Sequence, residues 1–146
     1  MEEKERRRFG IRVPTEKRMG RLTARGFLLD SIVLIDHFNG KRAATSWIER
    51  NSKSKLFISV ITFAEILVGC APEEIDVIRL FLERFECLFL TQEVAETAAR
   101  LRKKYHWKLP DAFQAALATN HNLLLVTRNT KDFPPRRHKF VHLPYR

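Results

Sequence analysis

Four carboxylates, far apart along the chain, sit at the ends of apolar segments or inside one, and their placement suggests shared chemistry. Asp30 ends the run Phe27-Leu28-Leu29, so if that run is a strand the carboxylate lies at its carboxyl end, where open α/β sheets bind ligands. A cap for a helix beginning at Ser31 explains the same residue without function. Glu65 is the sole charge in the 16-residue stretch from Leu56 to Ala71, where Phe63, Ile66, Leu67 and Val68 are expected to be buried around it. Burying a lone carboxylate is costly unless a cation or hydrogen bonds compensate, and a Lys or Arg partner is the plain alternative. Asp111 follows Pro110 at the start of a helix, a position that suits both residues through backbone geometry and the helix dipole. Thr127, Asn129 and Asp132 fall on or just past another strand end, in a polar turn that local turn chemistry also explains.

Each of these signals has a structural reading of its own; their joint placement changes the odds. If Asp30, Glu65, Asp111 and Asp132 converge, each like-charge pair at about 5 Å costs roughly 3 kcal/mol at an effective dielectric of about 20. Such a cluster needs a divalent cation. Ligation by carboxylates and water suits Mg²⁺ or Mn²⁺, and these ions act on phosphate esters by orienting water and neutralising phosphoryl charge.

The elements that must position these acids can be read from apolar periodicity. Short strands are expected at 27–30, 56–59, 87–90 and 123–127, with an edge strand at 140–143. Helices are expected at 31–38, 41–53, 62–68, 73–85, 92–106 and 109–120. Gly69 and Pro72 stop the third helix. Strands separated by helices predict a three-layer α/β fold with a central, mostly parallel sheet flanked by helices. Residues 1–25 lack periodic apolar positions and contain Gly10, Pro14 and Gly20, so a basic, flexible arm is expected there and a single domain from 26 to 146.

The 146 residues suffice for one domain with its own core. Net charge is +10, half of it in the first 26 residues, so a polyanion would be attracted. Cys70 and Cys87 show no disulfide framework or zinc spacing, which points to a reducing cytoplasm. Met1 to Met19 is too charged for a secretory leader, and no apolar run is long enough to cross a membrane. The five histidines, His37, His106, His121, His138 and His142, show no ligand spacing, and no phosphate loop, nucleophile elbow or dinucleotide fingerprint occurs.

Four segments together resemble the PIN-domain family and, within it, the VapC-like toxins: LLDSIVLID at 28–36, ISVITFAEILVG at 58–69, LPDAFQAALA at 109–118 and LLVTRNTKDF at 124–133. The resemblance runs from about Phe27 to the C-terminus. It implies that Asp30, Glu65 and Asp111 are the catalytic, metal-holding acids, with Ser31 and Thr127 as supporting hydroxyls. At Asn129 many relatives carry a fourth acid, whereas others have asparagine there and an acid three residues later, as Asp132 is here. Asp36 recurs in the first motif. The resemblance further implies an Mg²⁺- or Mn²⁺-dependent endoribonuclease, a homodimer, and a small antitoxin that covers the acidic groove. Hydrolysis would leave 5′-phosphate and 3′-hydroxyl ends on the RNA. Arg128, Lys131 and the run Arg100 to Lys104 are candidate phosphate contacts, the run being equally readable as a solvated helix face.

Two rival readings remain open at this level. Asn129 and the basic arm also fit a catalytically inactive PIN-like protein that binds nucleic acid or regulates. A phosphoacceptor signalling domain wants a carboxylate pair at the first strand edge and a late strand-end lysine, which Arg128-Asn129 fits poorly.

Overall fold

In a computed structural model, residues 24–146 are described. Most of the expected N-terminal arm therefore lies outside the described residues. Five strands alternate with six α-helices: β1 (Phe27–Leu29), α1 (Ser31–Phe38), α2 (Arg42–Arg50), β2 (Leu56–Ser59), α3 (Val60–Val68), α4 (Ile75–Leu82), β3 (Glu86–Leu88), α5 (Gln92–Tyr105), α6 (Leu109–Asn120), β4 (Leu124–Val126) and β5 (Val141–His142). A 3-10 turn, Pro72–Glu74, leads into α4.

The strands form one sheet in the order β3-β2-β1-β4-β5, and all four pairings are parallel. From β1 the chain steps outward through β2 to β3, then returns across the sheet to place β4 on the other side of β1. Strand order thus reverses between β1 and β4, and a crevice at the carboxyl ends of those two strands is the expected ligand position.

Alternation along β1 divides the core into two layers, because successive strand residues point to opposite faces. Leu28 packs with Phe57, Val94, Trp107 and the alanines of α6, while Leu29 packs on the other face with Val33, Trp47, Ile58, Ile66 and Leu82. Ala112, Ala115, Ala116 and Ala118 are fully buried. Their small side chains let α6 approach the sheet closely, which fixes the position of its first turn.

Several boundaries differ from the periodicity-based expectation. The third helix begins at Val60 and not Thr62, because Ser59 caps it by accepting a hydrogen bond from Thr62 N. The fourth is shorter than 73–85, since Pro72 starts a separate 3-10 turn and the helix ends at Leu82. The edge strand β3 is offset by one residue, its register being set by the pairing of Phe57 with Glu86. Val68, expected to be buried, is 87% exposed. That helix is apolar around its circumference, but only one side meets the sheet. No helix among the described residues is long and apolar enough to cross a membrane.

Candidate metal centre and acidic cleft

Asp30 is the first residue after β1. Its Oδ1 accepts the backbone N–H of Ser31 at 2.8 Å, capping α1, and its Oδ2 accepts the hydroxyl of Thr127 at 2.7 Å. Thr127 follows β4 directly and is fully buried, so the two neighbouring strand ends are joined by this hydrogen bond. The Thr127 hydroxyl in turn accepts the Asn129 backbone N–H at 3.0 Å. The Asp30 backbone N–H donates to the carbonyl of Val126 at 2.9 Å, which continues the β1–β4 ladder to the lip of the sheet.

A cleft of about 370 Å³ opens at this lip, with Asp30, Glu65 and Asp111 in its wall. Ser31, Gln114, Arg128 and Asn129 complete its polar lining. The cap role and the cleft role of Asp30 are therefore both realised by one side chain. Glu65 reaches the cleft from α3 and is exposed, not buried as its apolar neighbours suggested. It sits on the face of α3 that turns away from the core contact made by Ile66. Asp111 occupies the first turn of α6 just after Pro110.

Asp132 is not in the cleft wall. It forms a local pair with Asn129, whose Nδ2 donates to Asp132 Oδ2 at 3.0 Å while its Oδ1 accepts the Asp132 backbone N–H at 3.3 Å. The indole N–H of Trp107 donates to the Asp132 carbonyl at 2.9 Å and anchors the turn to the core. Asn129 is thus at the wall and paired with Asp132, whose charge still reaches Asp111. Lys131 is exposed on the same turn, away from the cleft wall.

The electrostatics register the convergence. Asp111 is pushed up from 3.8 to about 6, chiefly by burial and then by the charges of Asp30, Asp132 and Glu65, with Lys108 opposing. Arg128, although in the cleft wall, is committed elsewhere: its Nε and Nη2 hold Asp36 at 2.7 and 3.0 Å, and Tyr145 donates its hydroxyl to the same carboxylate at 2.8 Å. Burial alone would raise Asp36, but the hydrogen bonds from Arg128 and Tyr145 and the charges of Arg128 and Lys41 outweigh it and hold the carboxyl below its usual range. Asp36 is therefore an ion-pair partner that fixes Arg128, not a member of the cleft.

Sequence reasoning missed Gln114. Its side chain is buried, its Nε2 donates to Thr62 Oγ1 at 2.9 Å and stands 3.5 Å from Asp30 Oδ1, and its buried Oε1 has no hydrogen-bond partner. The available signal was its spacing: three residues after Asp111 on one helix places both on the same face.

The residues suit a hard divalent cation. All the cleft donors are oxygens, negative charge is concentrated enough to disturb Asp111, and a buried amide oxygen beside Asp30 is left unpartnered. As the side chains stand, no three His, Cys, Asp or Glu among the described residues form a cluster able to hold a metal ion. An ion such as Mg²⁺, which keeps several waters and takes one or two carboxylates, is compatible with so open a set.

A parallel sheet with an acidic crevice at its switch point defines a class of α/β proteins that bind ligands beyond the carboxyl ends of their strands. The particular family follows from comparison: the PIN domain model matches residues 27–136, and the chain belongs to that family. It is 33% identical over 113 residues to the ribonuclease VapC10 of Mycobacterium tuberculosis, covering 73% of this chain and 85% of that protein. It is 25% identical over 114 residues to ribonuclease VapC19 of the same organism, covering 73% and 91%. Among solved structures, a toxin-antitoxin complex from Klebsiella pneumoniae aligns with a TM-score of 0.73 at 38% identity, covering 81% of this chain and 97% of that one.

Proposed function

We propose that this chain is a divalent-cation-dependent endoribonuclease, the toxin of a toxin-antitoxin pair acting in the cytoplasm. The observation that carries the reading is the cleft: three acids from three separated segments line one crevice, and burial and mutual repulsion raise Asp111 to about 6. Its likeness to proteins named ribonuclease, and to a toxin-antitoxin complex, supports the same reading.

Asp30, Glu65 and Asp111 would hold the cation, with the paired Asn129 and Asp132 as the candidates for a fourth position. When bound, a divalent cation neutralises charge on the scissile phosphate and makes water a better nucleophile near neutral pH. The chain's own contribution is positioning. Ser31 N–H and Thr127 Oγ1 fix both oxygens of Asp30, and the Gln114 amide stands against one of them. Glu65 stands exposed at the rim. Hydrolysis adds water across the phosphodiester: a new P–O bond forms, the P–O3′ bond breaks, and O3′ takes a proton, leaving 5′-phosphate and 3′-hydroxyl ends. Lys131, exposed on the turn beside the cleft, would meet a flanking phosphate, whereas Arg128 would do so only from within its ion pair with Asp36.

Apolar side chains left exposed on α3 and α4, with Val68 at 87%, Val77 at 72% and Leu80 at 67%, support a protein partner on that side. An antitoxin and a second copy of the chain are the partners this reading assigns.

The reading is tested with purified protein, single-stranded RNA and Mg²⁺ or Mn²⁺. Asp30→Asn and Asp111→Asn are each expected to slow cleavage by about two orders of magnitude or more, the scale seen when one preorganised electrostatic group is removed. Cleavage that persists at the parental rate in both variants, or that survives chelation, contradicts it.

A further inference from the structure

A second and larger cavity, of about 650 Å³, lies at the amino ends of β1 and β4, whereas the acidic cleft lies past their carboxyl ends. Among the described residues its charged wall is made by Arg25, Arg50 and Lys55, and none of those lining it is a carboxylate. Phe27, His142 and Pro144 add flat apolar or aromatic surface. Among the described residues, none of these three cations is engaged in an ion pair.

Main-chain hydrogen bonds fix the backbone that carries two of the three cations, and the Arg25 guanidinium stands 5.9 Å over the Phe57 ring. Phe27 N donates to the Lys55 carbonyl at 2.9 Å, and Arg25 N donates to the Asn122 carbonyl at 2.8 Å. Between them, a Cβ on Gly26 would fall 2.4 Å from the Lys55 carbonyl oxygen, so only glycine allows the two segments to meet this closely. Arg50 joins them from the last turn of α2.

We propose that this amino-end pocket is a second RNA contact, in which Arg25, Arg50 and Lys55 take backbone phosphates and the flat surface of Phe27, His142 and Pro144 receives a base. A cavity with several cations, no acid and aromatic walls has the two features that single-stranded nucleic acid requires, charge for the backbone and a platform for bases. Along β1 the pocket stands about 10 Å from Asp30, at about 3.3 Å per strand residue, but that line runs through the buried Leu28 and Leu29, so RNA that engages both must pass around the sheet. The proposal rests on the nuclease reading only for RNA as the polyanion. It assigns the pocket to binding and not to the chemical step.

The test is the affinity of the full chain for a fluorescein-labelled single-stranded RNA, measured by anisotropy in chelator across a salt series, for the parent and for Arg50→Glu with Lys55→Glu. Both side chains are exposed, so the double variant is expected to keep the parental circular dichroism and melting temperature. Binding should weaken about tenfold or more near 0.15 M salt, and the slope of log K against log salt should fall by about 1.4, at about 0.7 for each phosphate no longer neutralised. With Mg²⁺ and saturating RNA the variant should cleave at the parental maximal rate, with a raised KM. Unchanged affinity and slope overturn the pocket assignment while leaving the nuclease reading intact. Loss of affinity in a protein that cleaves nothing under any divalent ion keeps the pocket and overturns the nuclease reading. Polyglutamate that binds the parent as tightly as RNA does, and is lost equally in the variant, also overturns the assignment to RNA, because an acidic protein surface would then be the better occupant.

Discussion

Asp30 performs two tasks with one carboxylate, capping α1 through the Ser31 N–H and presenting a charge to the cleft. The structural and functional readings of its position in the sequence are thus compatible and not competing. Thr127 and Gln114 restrict the same side chain from opposite partners, which is what a site needs if it is to lose little freedom on binding. Gln114→Leu is expected to preserve the fold yet weaken divalent-ion binding by about 10- to 100-fold, the usual cost of removing a group that orients a ligand. Titration calorimetry with Mn²⁺ checks this, and parental affinity in the variant would deny Gln114 that role. Asp111 supplies a pH test. Its folded pKa of about 6 lies above the ordinary 3.8, so its contribution to the stability of the cation-free protein is complete below about pH 4 and is lost as pH rises through about 6. Asp111→Asn should flatten the melting temperature over that window relative to the parent. A parental slope in the variant would mean that the repulsion is carried elsewhere. The acids themselves were legible because carboxylates at strand ends and helix starts are conspicuous. Gln114 was not, since a neutral amide in an alanine-rich helix has no distinctive pattern.

At the scale of elements, most of what the site needs was visible in periodicity. Leu28 and Leu29 point to opposite core layers, and Ala44, Trp47 and Ile48 share one buried face of the helix expected at 41–53. The misreadings have definite physical sources. Glu65 was expected to be buried because its helix is apolar on all sides, but a helix that covers only one side of a sheet buries only one stripe, and both Glu65 and Val68 lie off it. Cap and register effects moved the other boundaries, because Ser59 and the β2–β3 pairing act through hydrogen bonds that hydropathy does not record. The approach of β1 to β2 at Gly26 is likewise a backbone contact. Gly26→Ala must displace the Lys55 carbonyl, and is expected to lower unfolding free energy by about 1–3 kcal/mol, as overpacking does. Denaturant titration reads this directly, and a change within error would show that the loop at Lys55 yields without cost.

Across the whole molecule, a chain of net charge +10 carries a small, strongly acidic cleft at one end of its sheet and a basic pocket at the other. In the proposed function the excess positive charge would draw in a polyanion, and a cation in the cleft would offset the repulsion from its acids. The parallel α/β class could be read from alternating strands and helices, but the order β3-β2-β1-β4-β5 could not. Strands of two to four residues leave too little pattern to say which neighbours pair, and the return of β4 to the far side of β1 creates the switch-point crevice on which the proposed function rests. The most direct measurement is an anomalous-difference map from crystals grown with Mn²⁺ at a concentration that supports RNA cleavage. A manganese peak is predicted inside the cleft bounded by Asp30, Glu65 and Asp111. An empty cleft at that concentration, or manganese bound only elsewhere on the surface, contradicts the metal-centre assignment.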